Sequence, residues 1–333
     1  MHPAILGLVT IAIGVGGCVG YFYLSNMVLD HVIFPARGPN AGKNINRANQ
    51  IRPWLFLFPA LFALCLYLAY PVVETLRLSL TDRDADGAFV GLANYTQMLS
   101  EAKFWEAMRN NMLWLIVVPA LSTAFGLLAA QLTDRIRWGN LAKSLIFMPM
   151  AISFVGAAVI WKLVYDARPA GTDQIGILNA VVIWMTGAEP QTWLTLPFWN
   201  SFFLMAVLVW IQTGFAMVIL SAALRGIPEE TVEAAIVDGA GPMQIFFKIK
   251  VPQIKSTIMV VWTTITLVVL KVFDIVFAMT NGQWETQVLA NYMYDKLFRS
   301  NDWGVGSASA MVIMLLVLPI LIWNVRNARQ EMR

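Results

Sequence analysis

GIPEETVEAAIVDGAGPMQIFFKIKVP, from Gly226 to Pro252, is the one long polar-edged segment of the sequence that also carries helical order. Pro228 suits a first helical turn, where a missing N–H leaves no bond unmade, and Glu229 and Glu230 sit where the helix dipole favours negative charge. Val232, Ala235, Ile236 and Gly239 follow the i, i+3, i+4, i+7 spacing of one apolar face, and Gly239 with Gly241 supplies a stop, so the spacing predicts a helix of about ten residues. Pro242 opens a second short helix with Ile245, Phe246 and Ile249 on one stripe, and Pro252 disfavours helix at Val251 and ends it. A helix pair of this kind marks where a membrane-embedded chain meets a partner.

The surroundings are apolar. Of 333 residues, 58% are hydrophobic and 13% charged, and the apolar residues come in runs of about 20, the length that crosses a bilayer as helix. The runs lie at Ala4 to Leu24, Trp54 to Leu80, Asn111 to Leu132, Leu145 to Tyr165, Trp199 to Ala222, Thr257 to Met279 and Ser307 to Trp323. The sequence therefore predicts an all-α polytopic membrane protein of about seven transmembrane helices, with Ile175 to Met185 as a shorter interfacial helix. The first run lacks a basic flank and reads as a retained span. Residues 1–53 form a span plus a basic linker, and residues 54–333 a six-helix core with its loop at 226–252. Placing that loop in the cytosol puts 14 Lys and Arg on its side and 6 on the other, which sets the N-terminus outside and the C-terminus inside.

Several chemistries are disfavoured. A net charge of +3 is too small to suggest nucleic acid. His2 and His31 are the only histidines, and Cys18 and Cys65 fall inside apolar runs, so no zinc centre, disulfide framework or catalytic constellation is legible. Gly38 to Asn44 approaches a phosphate loop but is one residue short of GxxxxGK[ST], and Asn44 stands where magnesium needs a hydroxyl. A secondary transporter would need coupling-ion carboxylates and an inverted repeat, neither of which is clear.

Glu233-Ala234-Ala235, Gly239 and Ile249-x-Val251-Pro252 resemble the EAA signature of permease subunits in binding-protein-dependent ATP-binding-cassette importers. Phe89-x-Gly91-Leu92-x-Asn94-Tyr95, Phe147-Met148-Pro149 and Ile160-Trp161-Lys162 are similar to further positions of its sugar-importing members. The resemblance runs from Trp54 onward, and the N-terminal span with its linker resembles the α-glucoside branch. It implies a type I importer permease fold in a bacterial or archaeal plasma membrane, with the Gly226 loop docking on a cytosolic ATPase through Glu233, Ala234, Ala235, Gly239 and Pro252. It implies as partners a second, non-identical permease subunit, two ATPase subunits that hold ATP and magnesium, an extracytoplasmic sugar-binding protein and membrane lipid. No cofactor is expected on this chain. A polyol or glycerol phosphate stands as an alternative solute.

Polar groups at membrane depth are costly and so mark candidate sites. Lys271 and Asp274, three apart in the sixth span, are expected on one helix face, either as a structural ion pair or lining a polar path. Gln212 and Thr213 beside Trp210 join hydrogen-bonding groups to an aromatic face, which suits a sugar's hydroxyls and C–H faces. By resemblance to maltose-type permeases, the sugar path involves Met150 through Phe154, including Ser153, together with Trp210, Gln212, Val269 and Lys271. Val269 and Ile265 are apolar where the maltose permease is polar, which puts the same sugar in doubt.

Overall fold

The computed structural model describes residues 3–82, 87–134 and 136–331. It is helical throughout, and the described residues contain no strand beyond a single bridge between Thr81 and Phe89. Helix α1 spans Pro3–Val28 and α2 spans Ala41–Ser79, widened by a π turn at Cys65–Ala69. There follow α3 (Ala93–Ser100), α4 (Ala102–Thr133), α5 (Gly139–Phe147), α6 (Phe154–Val164), α7 (Ile177–Thr186) and α8 (Trp199–Arg225). The remainder comprises α9 (Glu229–Val237), α10 (Pro242–Gln253), α11 (Lys255–Leu270), α12 (Asp274–Met279), α13 (Leu289–Tyr294) and α14 (Trp303–Glu331).

Among the described residues five helices are long and apolar enough to cross a bilayer, and two bent pairs bring the number to seven. The expected fourth span is such a pair. α5 and α6 meet at 105° across a short 3-10 turn, Met148–Ala151. Pro149 sits in that turn, and Ser153 caps α6 by accepting the Gly156 N–H at 3.1 Å, so the chain stops one helix and starts another in the middle of an apolar run. The expected sixth span is also interrupted: α11 ends at Leu270, and α12 begins at Asp274 after a three-residue break.

The chain divides into two compact units, up to Glu74 and from Thr75 onward. The sequence boundary at Pro53 marks where the linker ends, whereas the packing division falls later, inside α2. In the second unit α4 and α8 form the central pair, and α11 packs on both. Gly126 of α4 lets them approach, since a Cβ there would stand 2.4 Å from that of Ala216. Trp114, Val118, Leu204, Leu208, Met217, Leu220, Ile265 and Val269 make the core of this trio. Helices α3, α13 and α14 with the start of α4 enclose a smaller core of Met98, Phe104, Leu289, Tyr292 and Val305.

Candidate functional site

The Gly226 to Pro252 loop forms two helices as the spacing predicts, with four corrections. Pro228 is the N-cap of α9 and Glu229 its first helical residue, one step later than expected, while Glu230 joins Glu229 in the first turn. Asp238 closes the helix and Gly239 turns the chain at φ +80°. Gly239 thus lies beyond the helix and outside its apolar face. Pro252 does not end the second helix, because the chain widens into a π turn over Ile245–Lys250 and passes helically through Pro252 to Gln253. In a regular helix the proline ring would clash with the carbonyl four residues back, and the wider turn relieves that contact.

The two helices present different faces. Ala235 and Ile245 are buried, and Val232 packs against the core. Ile236 is 59% exposed, Val237 86%, Met243 71% and Phe247 59%, with Glu233 and Ala234 exposed beside them. Ile236 thus departs from the predicted inward stripe.

Behind the loop lies a polar cavity of about 490 Å³, lined by Gln131, Asp134, Arg225, Glu229, Glu233 and Lys250 among others. Asp134, just past α4, accepts hydrogen bonds from Lys143 of α5, from Ser221 of α8 at 2.9 Å and from Arg225 Nε at 3.2 Å. Lys250 of α10 donates to Gln131 of α4 at 3.3 Å. Burial alone would raise the Asp134 pKa, but the hydrogen bonds from Lys143 and Ser221 and the charges of Lys143 and Arg225 together hold it below the usual aspartate value. This cluster ties the ends of three helices to each other beneath the loop. Sequence reasoning counted Lys143, Arg225 and Lys250 only as charge and passed over Asp134 and Ser221, because Asp134 and Arg225 stand 91 positions apart.

Midway along the second unit a cavity of about 590 Å³ is lined by Met150, Ser153, Phe154, Gln212, Thr264 and Asp274, with apolar neighbours. It gathers five of the predicted path residues from four separate segments. The Gln212 amide and the Asp274 carboxylate make no hydrogen bond or ion pair with other described residues, so their polar atoms are unpaired within the cavity lining. The other three predicted residues lie elsewhere. Trp210 and Thr213 line a separate, apolar cavity of about 630 Å³, where Trp210 packs edge-on to Trp161 at 5.7 Å. Two residues along a helix turn a side chain through about 200°, so Trp210 and Gln212 cannot share a face. Val269 is fully buried in the core; Thr264 and Val268, one turn apart, are the α11 residues at the cavity. Lys271 is exposed in the break after α11, and the expected pair with Asp274 is not formed, because the break removes the helical spacing on which it depended.

At the far end of α4 and α8 the chain is held rigidly. Within Asn281 to Glu285, four residues have positive φ: Asn281, Gly282, Trp284 and Glu285. Asn200 donates to the Trp284 carbonyl at 2.5 Å, and Asn110 donates to the carbonyls of Glu285 and Gln287, each at 2.8 Å. The Thr280 and Thr286 hydroxyls bond at 2.7 Å, and Asn291 donates to Gln287 Oε1 at 2.6 Å. Nearby, Lys296 reaches Glu101 at 2.5 Å and Tyr292 donates to the same carboxylate at 2.8 Å. Asn94 of the FxGLxNY stretch is likewise a clamp, donating to the carbonyls of Ser79 at 3.0 Å and Thr81 at 2.6 Å.

Comparison with known proteins agrees with this architecture. Residues 122–329 match the family described as binding-protein-dependent transport system inner membrane component. The chain is 64% identical to the alpha-glucoside transport system permease protein AglF of Rhizobium meliloti (strain 1021), over 99% of each chain. It is 47% identical to the osmoprotective compounds uptake permease protein GgtC of Synechocystis, over 83% of this chain and 99% of that one. Among solved structures, a bacterial alginate ABC transporter in complex with an alginate pentasaccharide-bound periplasmic protein contains a chain that matches at TM-score 0.72 and 20% identity. That match covers 85% of this chain and 95% of the other, and it shows the fold.

Proposed function

Because this chain belongs to the family of inner membrane components of binding-protein-dependent transport systems, we propose that it is the permease subunit carrying an α-glucoside inward across the plasma membrane. The observation that carries the substrate assignment is the 64% identity to an α-glucoside permease along 99% of both chains. The mid-membrane cavity suits that solute: Gln212 offers donors and an acceptor, Asp274 accepts from hydroxyls, and Phe154 supplies an aromatic edge.

Import runs by alternating access. Two cytosolic ATPase subunits hold ATP and magnesium and dock on the 226–252 loop, where exposed Ala234 allows close approach and Glu233 pairs with a basic residue of the partner. Ala235, Gly239 and Pro252 shape the loop from within. Its movement reaches the spans through Lys250 on α4 and through the Asp134 cluster on α5 and α8. Helix α8 carries both Arg225 of that cluster and Gln212 of the cavity, about 20 Å apart at helical rise, so one rigid element joins coupling to solute. A second, non-identical permease subunit completes the path, and an extracytoplasmic binding protein delivers the sugar, as a periplasmic protein binds the alginate transporter. The charge bias supports an outside N-terminus and a cytosolic C-terminus.

The test is ATP-dependent uptake by the reconstituted complex with its binding protein, comparing α-linked disaccharides, their β-linked isomers and a glucosylated polyol. Preference for the α-linked disaccharides is expected. Preference for the polyol would move the assignment to a compatible solute, the reading favoured by the 47% identity to GgtC. Uptake driven by an ion gradient without ATP would overturn the importer reading.

A further inference from the structure

The amino-terminal unit holds a cavity of about 390 Å³ whose polar lining is Asp30, His31, Arg37, Asn49 and Arg52. Arg52 Nη2 donates to Asp30 at 2.6 Å, so one guanidinium is neutralised. The Nε of the same arginine is buried without a partner. Arg37 is exposed and makes no hydrogen bond or ion pair with other described residues. His31 Nδ1 lies 3.2 Å from the Met27 carbonyl, which can only accept, so this nitrogen carries the proton and Nε2 is left for a ligand. The cavity thus holds one uncompensated positive charge, that of Arg37. That matches a single phosphodiester, which guanidinium groups bind by paired hydrogen bonds.

The depth of the cavity selects among phosphate sources. Helix α1 is apolar up to its closing π turn, which ends at Ile33, and the apolar part of α2 starts at Trp54. Between them the chain folds back, with Asn44 donating to the Pro35 carbonyl at 2.9 Å. Phe34, Pro35, Ile45 and Ala48 supply the apolar part of the lining, and Ile33, Ile51 and Trp54, within two positions of lining residues in the chain, are 56%, 40% and 67% exposed. Two lipid-length helices therefore leave the hydrocarbon at this level, with a tryptophan at the margin, which is where phospholipid headgroups lie. We propose that this cavity binds the phosphodiester headgroup of an anionic membrane phospholipid, with Arg37 and Arg52 as its phosphate ligands and the apolar rim against its chains. This inference does not depend on the solute transported.

The experiment uses the full-length chain, purified with the subunits that accompany it, stripped of lipid and then offered phosphatidylglycerol or phosphatidylcholine, with retention read by native mass spectrometry. Wild type should retain phosphatidylglycerol about tenfold more strongly, as a charge-assisted bidentate contact warrants. Arg37→Gln, which breaks no bond within the protein, should erase that preference. Arg47→Gln, an exposed basic change in the same segment that does not line the cavity, should preserve it. Equal retention of both lipids, or equal loss in the two variants, would overturn the site. Displacement by inorganic phosphate at the lipid's own concentration would overturn the lipid assignment in favour of a free anion.

Discussion

The two ends of the α4–α8 pair treat their polar groups in opposite ways. At the end bearing Asn281 to Gln287, buried amides and hydroxyls of Asn110, Asn200, Thr280, Thr286 and Asn291 are turned inward to hold a backbone with positive φ at four residues. At the other end, α9 and α10 turn Ile236, Val237, Met243 and Phe247 outward, next to the exposed carboxylate of Glu233. The first region bonds most of its polar groups within itself, with Asn291 Oδ1 buried and unpartnered. The second leaves apolar side chains exposed beside an acidic group, the kind of surface that the proposed ATPase would cover.

Two glycines with similar φ put this contrast to its hardest test. Gly282 has φ +72°, and a Cβ on it would stand 2.2 Å from Gln287 Oε1 and 2.7 Å from Asn291 Nδ2, both on buried side chains. Gly282→Ala should cost about 3 kcal/mol, from backbone strain and overpacking together, seen as a large drop in thermal midpoint and in extractable folded chain. A variant as stable as wild type would mean that the frame is looser than described.

Midway between the ends, Gln212→Ala or Asp274→Asn should weaken sugar transport by about 1 to 3 kcal/mol, roughly 5- to 150-fold in affinity. Neither should change thermal stability or ATPase association, because neither group has a partner among the described residues. A stability loss equal to the transport loss would make them packing residues.

Gly239 supplies the counterpart to Gly282. Its φ is +80° but no atom lies within 4 Å of a Cβ placed there, so Gly239→Ala should cost only about 1 kcal/mol of backbone strain. Thermal unfolding would show the threefold difference between the two substitutions, and equal effects would erase the distinction between frame and docking face.

How much of this was legible depended on whether the signal was local. The loop could be read because Pro228, Glu229, Glu230 and Gly239 announce helix edges within a few residues of each other. The five long spans were legible from hydropathy alone. The bend at Met148–Ala151 and the break at Lys271–Phe273 were not, since hydropathy is the same on both sides of each; at the first, Pro149 and the Ser153 cap were the available signals. Trp210 and Gln212 were grouped by adjacency where helical angle separates them. The positive φ of Trp284 and Glu285 had no sequence signal, because bulky residues adopt it only under tertiary bracing. The π turn at Ile245–Lys250, which lets the helix run on through Pro252, was hidden as well, since the sequence marks Pro252 only as a stop.

A smaller effect should come from acid. Since the folded pKa of Asp134 is depressed below its ordinary 3.8, its stabilising contribution is fully present above that value and is lost as pH falls through the lower folded one. Melting midpoints of wild type and Asp134→Asn should therefore differ at pH 6 and converge toward pH 3. A gap that persists into acid would remove the carboxylate from the cluster's role.

The central claim is that the 226–252 loop is the face on which a partner ATPase drives transport. Its most direct test is Glu233→Lys, assayed together for membrane insertion, ATPase co-purification and uptake. The side chain is exposed at the edge of a polar cavity, so the account predicts normal insertion and thermal stability with ATPase association and uptake both lost, as the reversed charge meets the partner's basic residue. Normal uptake by Glu233→Lys, with the ATPase still bound, would contradict it.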